Sequence, residues 1–76
     1  MRNTRSGLYS EVSRLVLSRR RDVGMTQEEL SKKSGVSRVT IMNLELRKKM
    51  VGMDSVEKIA DGLGCSVHVE LKEKRK

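Results

Sequence analysis

Arg38, Val39, Met42, Asn43 and Leu46 follow one another at steps of one, three, one and three residues. On an α-helix that spacing gathers the five side chains on one outward face once Ile41 and Leu44 turn inward. Their chemistry is that of a reader of base edges. The Arg38 guanidinium carries paired donors that match guanine O6 and N7. The Asn43 carboxamide sets a donor beside an acceptor, the complement of adenine N7 and N6. Val39 or Met42 can cover a thymine methyl. Each good bidentate contact is worth about 1–3 kcal/mol of discrimination between bases.

The surroundings suit phosphate. Thr26-Gln27 and Ser37-Arg38 mark two helix starts, where free N–H groups and a positive dipole end attract anions. Lys32, Lys33, Arg47, Lys48 and Lys49 add cations around them. Over all 76 residues, 17 Lys and Arg stand against 10 Asp and Glu, a net charge of +7 that calls for an acidic partner.

Other chemistries find little to work with. One cysteine, Cys65, and one histidine, His68, exclude a disulfide framework and a Cys- or His-based metal centre. No nucleophile–base pairing, signature carboxylate pair or phosphate-cradling glycine loop is present, so neither an enzyme nor a cofactor is expected. No apolar run approaches the ~18–20 residues of a membrane span. The first 21 residues lack the apolar stretch and small-residue cleavage site of a leader, so a cytoplasmic protein without membrane contact is expected. The hydrophobic share is only 36%, in a chain short enough for one compact unit. Its fold is worth roughly 4–11 kcal/mol, and burial against a second copy would help it.

The elements that hold these residues are legible in turn. A first helix runs from about Tyr9 or Ser10 to Val23, with Leu8, Val12, Leu15, Val16 and Val23 on its inner face. Arg19 falls inside that stripe and lays its stem along it. Gly24 supplies the stop. Thr26 and Glu29 form a capping box opening a short helix from Gln27 to about Ser34, with Leu30 inward. Gly35 gives the positive φ of the turn, and a helix follows from Ser37 to Glu45 or Leu46, with Val36, Ile41 and Leu44 inward. Arg47 to Gly52 read as a loop. Met53, Val56, Ile59, Ala60 and Leu63 then predict a fourth helix ending at Gly62 or Gly64. Cys65 is expected to be a small core residue behind it. Finally Val67, Val69 and Leu71 alternate with polar residues, the period of a β-strand, with His68 on its polar side.

The stretch TQEELSKKSGVSRVTIMNLE, Thr26 to Glu45, resembles the helix-turn-helix of the XRE/Cro family, the phage-repressor type. The resemblance rests on Gln27, Leu30, Ser31, Gly35, Val36, Ser37, Ile41, Leu44 and Glu45, and with its flanks covers about Val12 to Gly64. It implies base or groove contact at Ser37, Arg38, Val39, Thr40 and Asn43, and phosphate contact at Gln27. It also implies a partly buried ion pair between Arg20 and Glu45. Family members commonly carry a glycine where this chain has Arg47, and a proline where it has Val51. A longer-helical or differently angled loop is the expectation there.

The whole reads as a mainly α, lambda-repressor-like bundle of about four helices plus one C-terminal β-strand. Residues 1–7 are a flexible arm, 8–64 the helix-turn-helix domain, 65–72 a dimerisation strand and 73–76 a basic tail. A lone strand needs a partner, so Val67, Val69 and Leu71 are expected to pair across a homodimer. The implied function is sequence-specific binding of a pseudo-palindromic double-stranded operator, as an autoregulatory repressor. Two alternatives share the architecture. One is an antitoxin, resembling the HipB-like and HigA-like type, that neutralises a partner toxin. The other is a restriction–modification controller; those usually dimerise through helices, which the strand counts against.

Overall fold

A computed structural model describes residues 7–74 and contains four helices among them. These are α1 (Gly7–Asp22), α2 (Gln27–Ser34), α3 (Arg38–Leu46) and α4 (Met53–Gly62). α2 packs against both α3 and α4, and α1 closes over α3. Leu30, Ile41, Leu44 and Ile59 are fully buried where these helices meet, with Val16, Val36, Val56 and Leu63 around them. α2 and α4 approach closely at Gly62, where a Cβ would lie 3.1 Å from both Leu30 Cδ1 and Ser34 Cβ.

Local signals set the helix ends. The Thr26 hydroxyl accepts the Glu29 N–H at 3.0 Å, and the Glu29 carboxylate accepts the Thr26 N–H at 2.8 Å, completing the capping box. Ser37 caps α3 in the same way, accepting the Thr40 N–H at 3.1 Å. Gly35 sits at φ 75°, the left-handed turn that its sequence position predicts. α1 and α4 share a second type of ending. Gly24 and Gly64 take positive φ, and two backbone N–H groups fold back onto the last turn: Gly24 and Met25 onto Arg21 and Arg20, Gly64 and Cys65 onto Asp61 and Ala60. α3 ends in the same manner but on an arginine. Arg47 holds φ 55° while its N–H and that of Lys48 return to Leu44 and Asn43. The helix therefore does not run on into the loop, since an arginine adopts the stop that glycine would make easier.

α1 is rotated from its expected face. Tyr9, Ser13 and Val16 are buried, and Arg20 continues their stripe toward Glu45. Leu8 and Leu15, expected inward, are 64% and 51% exposed, and Val23 is exposed too. The reason is polar: the Tyr9 hydroxyl and the Arg20 guanidinium both find fixed partners across the core, and these orient the helix. Apolar side chains alone would have chosen the neighbouring stripe. Met53 is likewise exposed, and so is Cys65, which lies just past the α4 stop instead of in the core.

The C-terminal strand is a correction. Residues 65–74 form neither helix nor strand. Val67 packs against the core, but Val69 is 61% and Leu71 95% exposed. A strand needs a ladder partner for its backbone groups, and the four helices offer none. The β-strand expected at 65–72 is therefore not formed within this chain. Of the arm expected at 1–7, only Gly7 lies within the described residues, and it opens α1. Of the basic tail expected at 73–76, Glu73 and Lys74 are described and exposed, while Arg75 and Lys76 lie outside the described residues.

Candidate nucleic-acid interface

α3 presents the face that its spacing predicts. Ile41, Leu44 and Glu45 are buried, which leaves Arg38, Val39 and Leu46 exposed and Thr40, Met42 and Asn43 half-buried along the opposite side. Ser37 and Thr40 are tied to each other at the helix start. The Ser37 hydroxyl donates to Thr40 Oγ1 at 2.9 Å while accepting the Thr40 N–H. Both side chains hold the first turn of the helix rigid, beside the residues read as base contacts.

Arg38 lies next to the start of α2. Together with Arg20, Thr26, Gln27 and Glu28 it lines a shallow, open depression between the two helix starts. Two positive dipole ends and the exposed Arg38 guanidinium thus converge on one strip, which suits an anion, with Glu28 also lining it and the Arg20 charge already paired to Glu45. Gln27 is half-buried and already engaged: its amide donates to Glu45 Oε1 at 3.0 Å.

Glu45 anchors this end of the site. Arg20 grips it with two bonds, Nε to Oε2 at 2.7 Å and Nη2 to Oε1 at 3.0 Å. A third, Nη1 to the Met25 carbonyl at 2.8 Å, ties in the α1–α2 turn. The bond to Glu45 is the main reason that the Arg20 pKa is raised above its usual value; partial burial opposes it. One carboxylate therefore collects α1, α2 and α3 into a fixed relation, as the resemblance implied for Arg20 and Glu45. The added Gln27 and Met25 bonds carry no sequence signal of their own.

Arg47, Lys48 and Lys49 are exposed in the turn that follows α3. Sequence reasoning missed what holds this turn. Tyr9, the chain's one aromatic residue, donates its hydroxyl proton to the Lys49 carbonyl at 2.9 Å. The same oxygen accepts the Val51 N–H at 3.1 Å. The available signal was the residue type itself, since a lone tyrosine among aliphatic residues is a core side chain with one hydroxyl to satisfy. Val67 lines two apolar grooves with residues of α1 and Val69 lines one of them, while Leu71 is exposed. Among the described residues no cluster of acidic, cysteine and histidine side chains could hold a metal ion. Nor is any helix there long and apolar enough to cross a membrane.

Comparison with known proteins finds the same fold in solved structures. The wild-type restriction-modification controller protein C.Esp1396I is 38% identical, with a TM-score of 0.74 over 80% of each chain. The tetramer of that protein in complex with its natural 35 base-pair operator aligns with the same values. A point variant of it, bound to its highest affinity operator site, aligns with a TM-score of 0.73 at the same identity and coverage. No curated protein sequence matches the chain. Residues 16–69 match a family model described as helix-turn-helix, from the middle of α1 to beyond α4. On that match and this fold, the chain belongs to the HTH_3 helix-turn-helix family.

Proposed function

We infer that this protein is a DNA-binding transcriptional regulator, acting as a homodimer on a pseudo-palindromic operator of its own promoter. The observation that carries this reading is the likeness, at 38% identity over 80% of both chains, to a controller solved on its operator. α3 is the helix that enters the major groove. Arg38 and Asn43 read base edges, Val39 and Met42 cover thymine methyls, and Ser37 and Thr40 meet the groove edge. Gln27, Arg47 and Lys48 take phosphates. A cytoplasmic location goes with this role.

The second copy has a surface to meet. Leu8, Val12, Leu15 and Arg19 form a stripe beside the buried one on α1, and it borders two apolar grooves flanking Val67. Leu8, Leu15, Met53 and Val69 are all exposed around it, and an exposed apolar face of this kind marks an interaction site. Val67, Val69 and Leu71 serve the dimer here as side chains packed on helices. A two-fold axis through this face sets two α3 helices for half-sites about one DNA turn, ~34–36 Å, apart.

Of the alternatives, the restriction–modification controller is favoured by the solved relatives. The strand that weighed against it is not formed, and the antitoxin reading loses its architectural support with it. Fluorescence anisotropy tests the proposal, with DNA from upstream of the gene against a scrambled duplex at ~0.15 M salt. Preference for the native fragment by roughly 10³-fold or more is expected for a specific regulator. Equal binding to both duplexes would reduce the protein to a non-specific cation.

A further inference from the structure

We propose that Tyr9 is a positioning residue for DNA binding: its hydroxyl locks the turn that carries Arg47, Lys48 and Lys49. The proposal rests on the reading that these cations meet phosphate. Its structural basis is that the turn is pinned at both ends. At the start, Arg47 holds φ 55°, and the Arg47 and Lys48 N–H groups are bonded to the last turn of α3. At the far end, the Tyr9 oxygen bridges the Lys49 carbonyl at 2.9 Å and the Val51 N–H at 3.1 Å.

Both anchors rest on rigid structure. The Tyr9 ring is buried in the core on α1, and Val51 is buried beside it. All three cationic side chains stay exposed. A left-handed arginine is a costly conformation, and such strain concentrates where a side chain must be held for a task. A free turn would lose backbone entropy on meeting DNA. A pinned one has already lost it on folding, so its charges bind at full strength. The Val51 N–H matters for the same reason, because a proline there would have nothing to give Tyr9.

Because phosphate contacts are blind to sequence, the test uses a scrambled duplex and does not depend on the operator. Four full-length proteins are compared by anisotropy across a salt series: wild type, Tyr9→Phe, Arg47→Gln/Lys48→Gln/Lys49→Gln, and the quadruple variant. Tyr9→Phe is expected to fold and to weaken binding about three- to tenfold in the wild-type turn. In the neutral turn the same substitution should change nothing beyond about twofold. An equal loss in both turns, no loss in the wild-type turn, or a Tyr9→Phe protein that does not fold would each overturn the proposal. The neutral turn alone checks the underlying reading. If it binds with the wild-type constant and salt slope, the cations do not meet phosphate, whatever Tyr9 does.

Discussion

The Arg20 guanidinium lies against the Glu45 carboxylate in a two-pronged pair, 2.7 Å and 3.0 Å long, and joins α1 to α3. The Arg20 side chain is 14% exposed and that of Glu45 only 3%, so the pair is nearly dry. Removing one partner strands the other. Arg20→Met should lower the unfolding free energy by about 3–5 kcal/mol, a large part of what so short a chain has. Arg20→Lys should recover only part, because an ammonium lacks the planar fork. Denaturant unfolding curves that coincide with wild type would refute this account.

Two left-handed positions predict opposite signs. Gly35 has open space around its Cα, so a side chain there costs only backbone strain. Gly35→Val should lose about 1–2 kcal/mol. Arg47→Gly relieves the same strain after α3 and should gain about 1 kcal/mol. It should also bind DNA more weakly, since a cation is gone. Thermal unfolding and anisotropy on the same samples check both halves.

Ser13 is fully buried, and its hydroxyl has no hydrogen-bond partner among the described residues. The small side chain suits the crossing of α1 with the core, but the oxygen brings a desolvation cost without a compensating bond. Ser13→Ala should be neutral or stabilising by up to about 1 kcal/mol. A clear loss of stability would mean that the hydroxyl is satisfied in solution.

At Gly62 helix propensity and packing disagree. Alanine is the better helix former by about 1 kcal/mol, yet its Cβ would sit 3.1 Å from Leu30 Cδ1 and 3.3 Å from the Ser34 backbone. Backbone gives way less readily than a side-chain tip, so Gly62→Ala should destabilise by about 1 kcal/mol net. Since α2 carries the turn into α3, weaker DNA binding should follow near the melting range. A more stable Gly62→Ala protein would show that α4 slides easily.

Salt and base-contact variants separate charge from readout. If a dimer neutralises six to ten phosphates, log K should fall against log salt with a slope of about −5 to −9. Arg38→Ala and Asn43→Ala should each lose about 1–3 kcal/mol of discrimination at the bases they read. Lys48→Gln should weaken native and scrambled duplexes alike. A flat salt dependence would contradict the phosphate footprint.

Much of the domain was legible because its signals are local. The Thr26–Glu29 box, the Ser37 cap and the glycines at 24, 35 and 64 act through a few neighbouring backbone groups, so residue type and spacing determine them. The inward Leu30, Ile41 and Leu44 follow from periodicity, and they in turn decide which α3 residues face out. Tertiary structure alone decided the face of α1, where two stripes competed. Partners far along the chain, Lys49 and Val51 for Tyr9 and Glu45 for Arg20, favoured the stripe with fewer aliphatic residues. It also decided the C-terminus. Alternation at Val67, Val69 and Leu71 describes a strand's side chains, but a strand exists only where another backbone completes its hydrogen bonds. Within residues 7–74 none does.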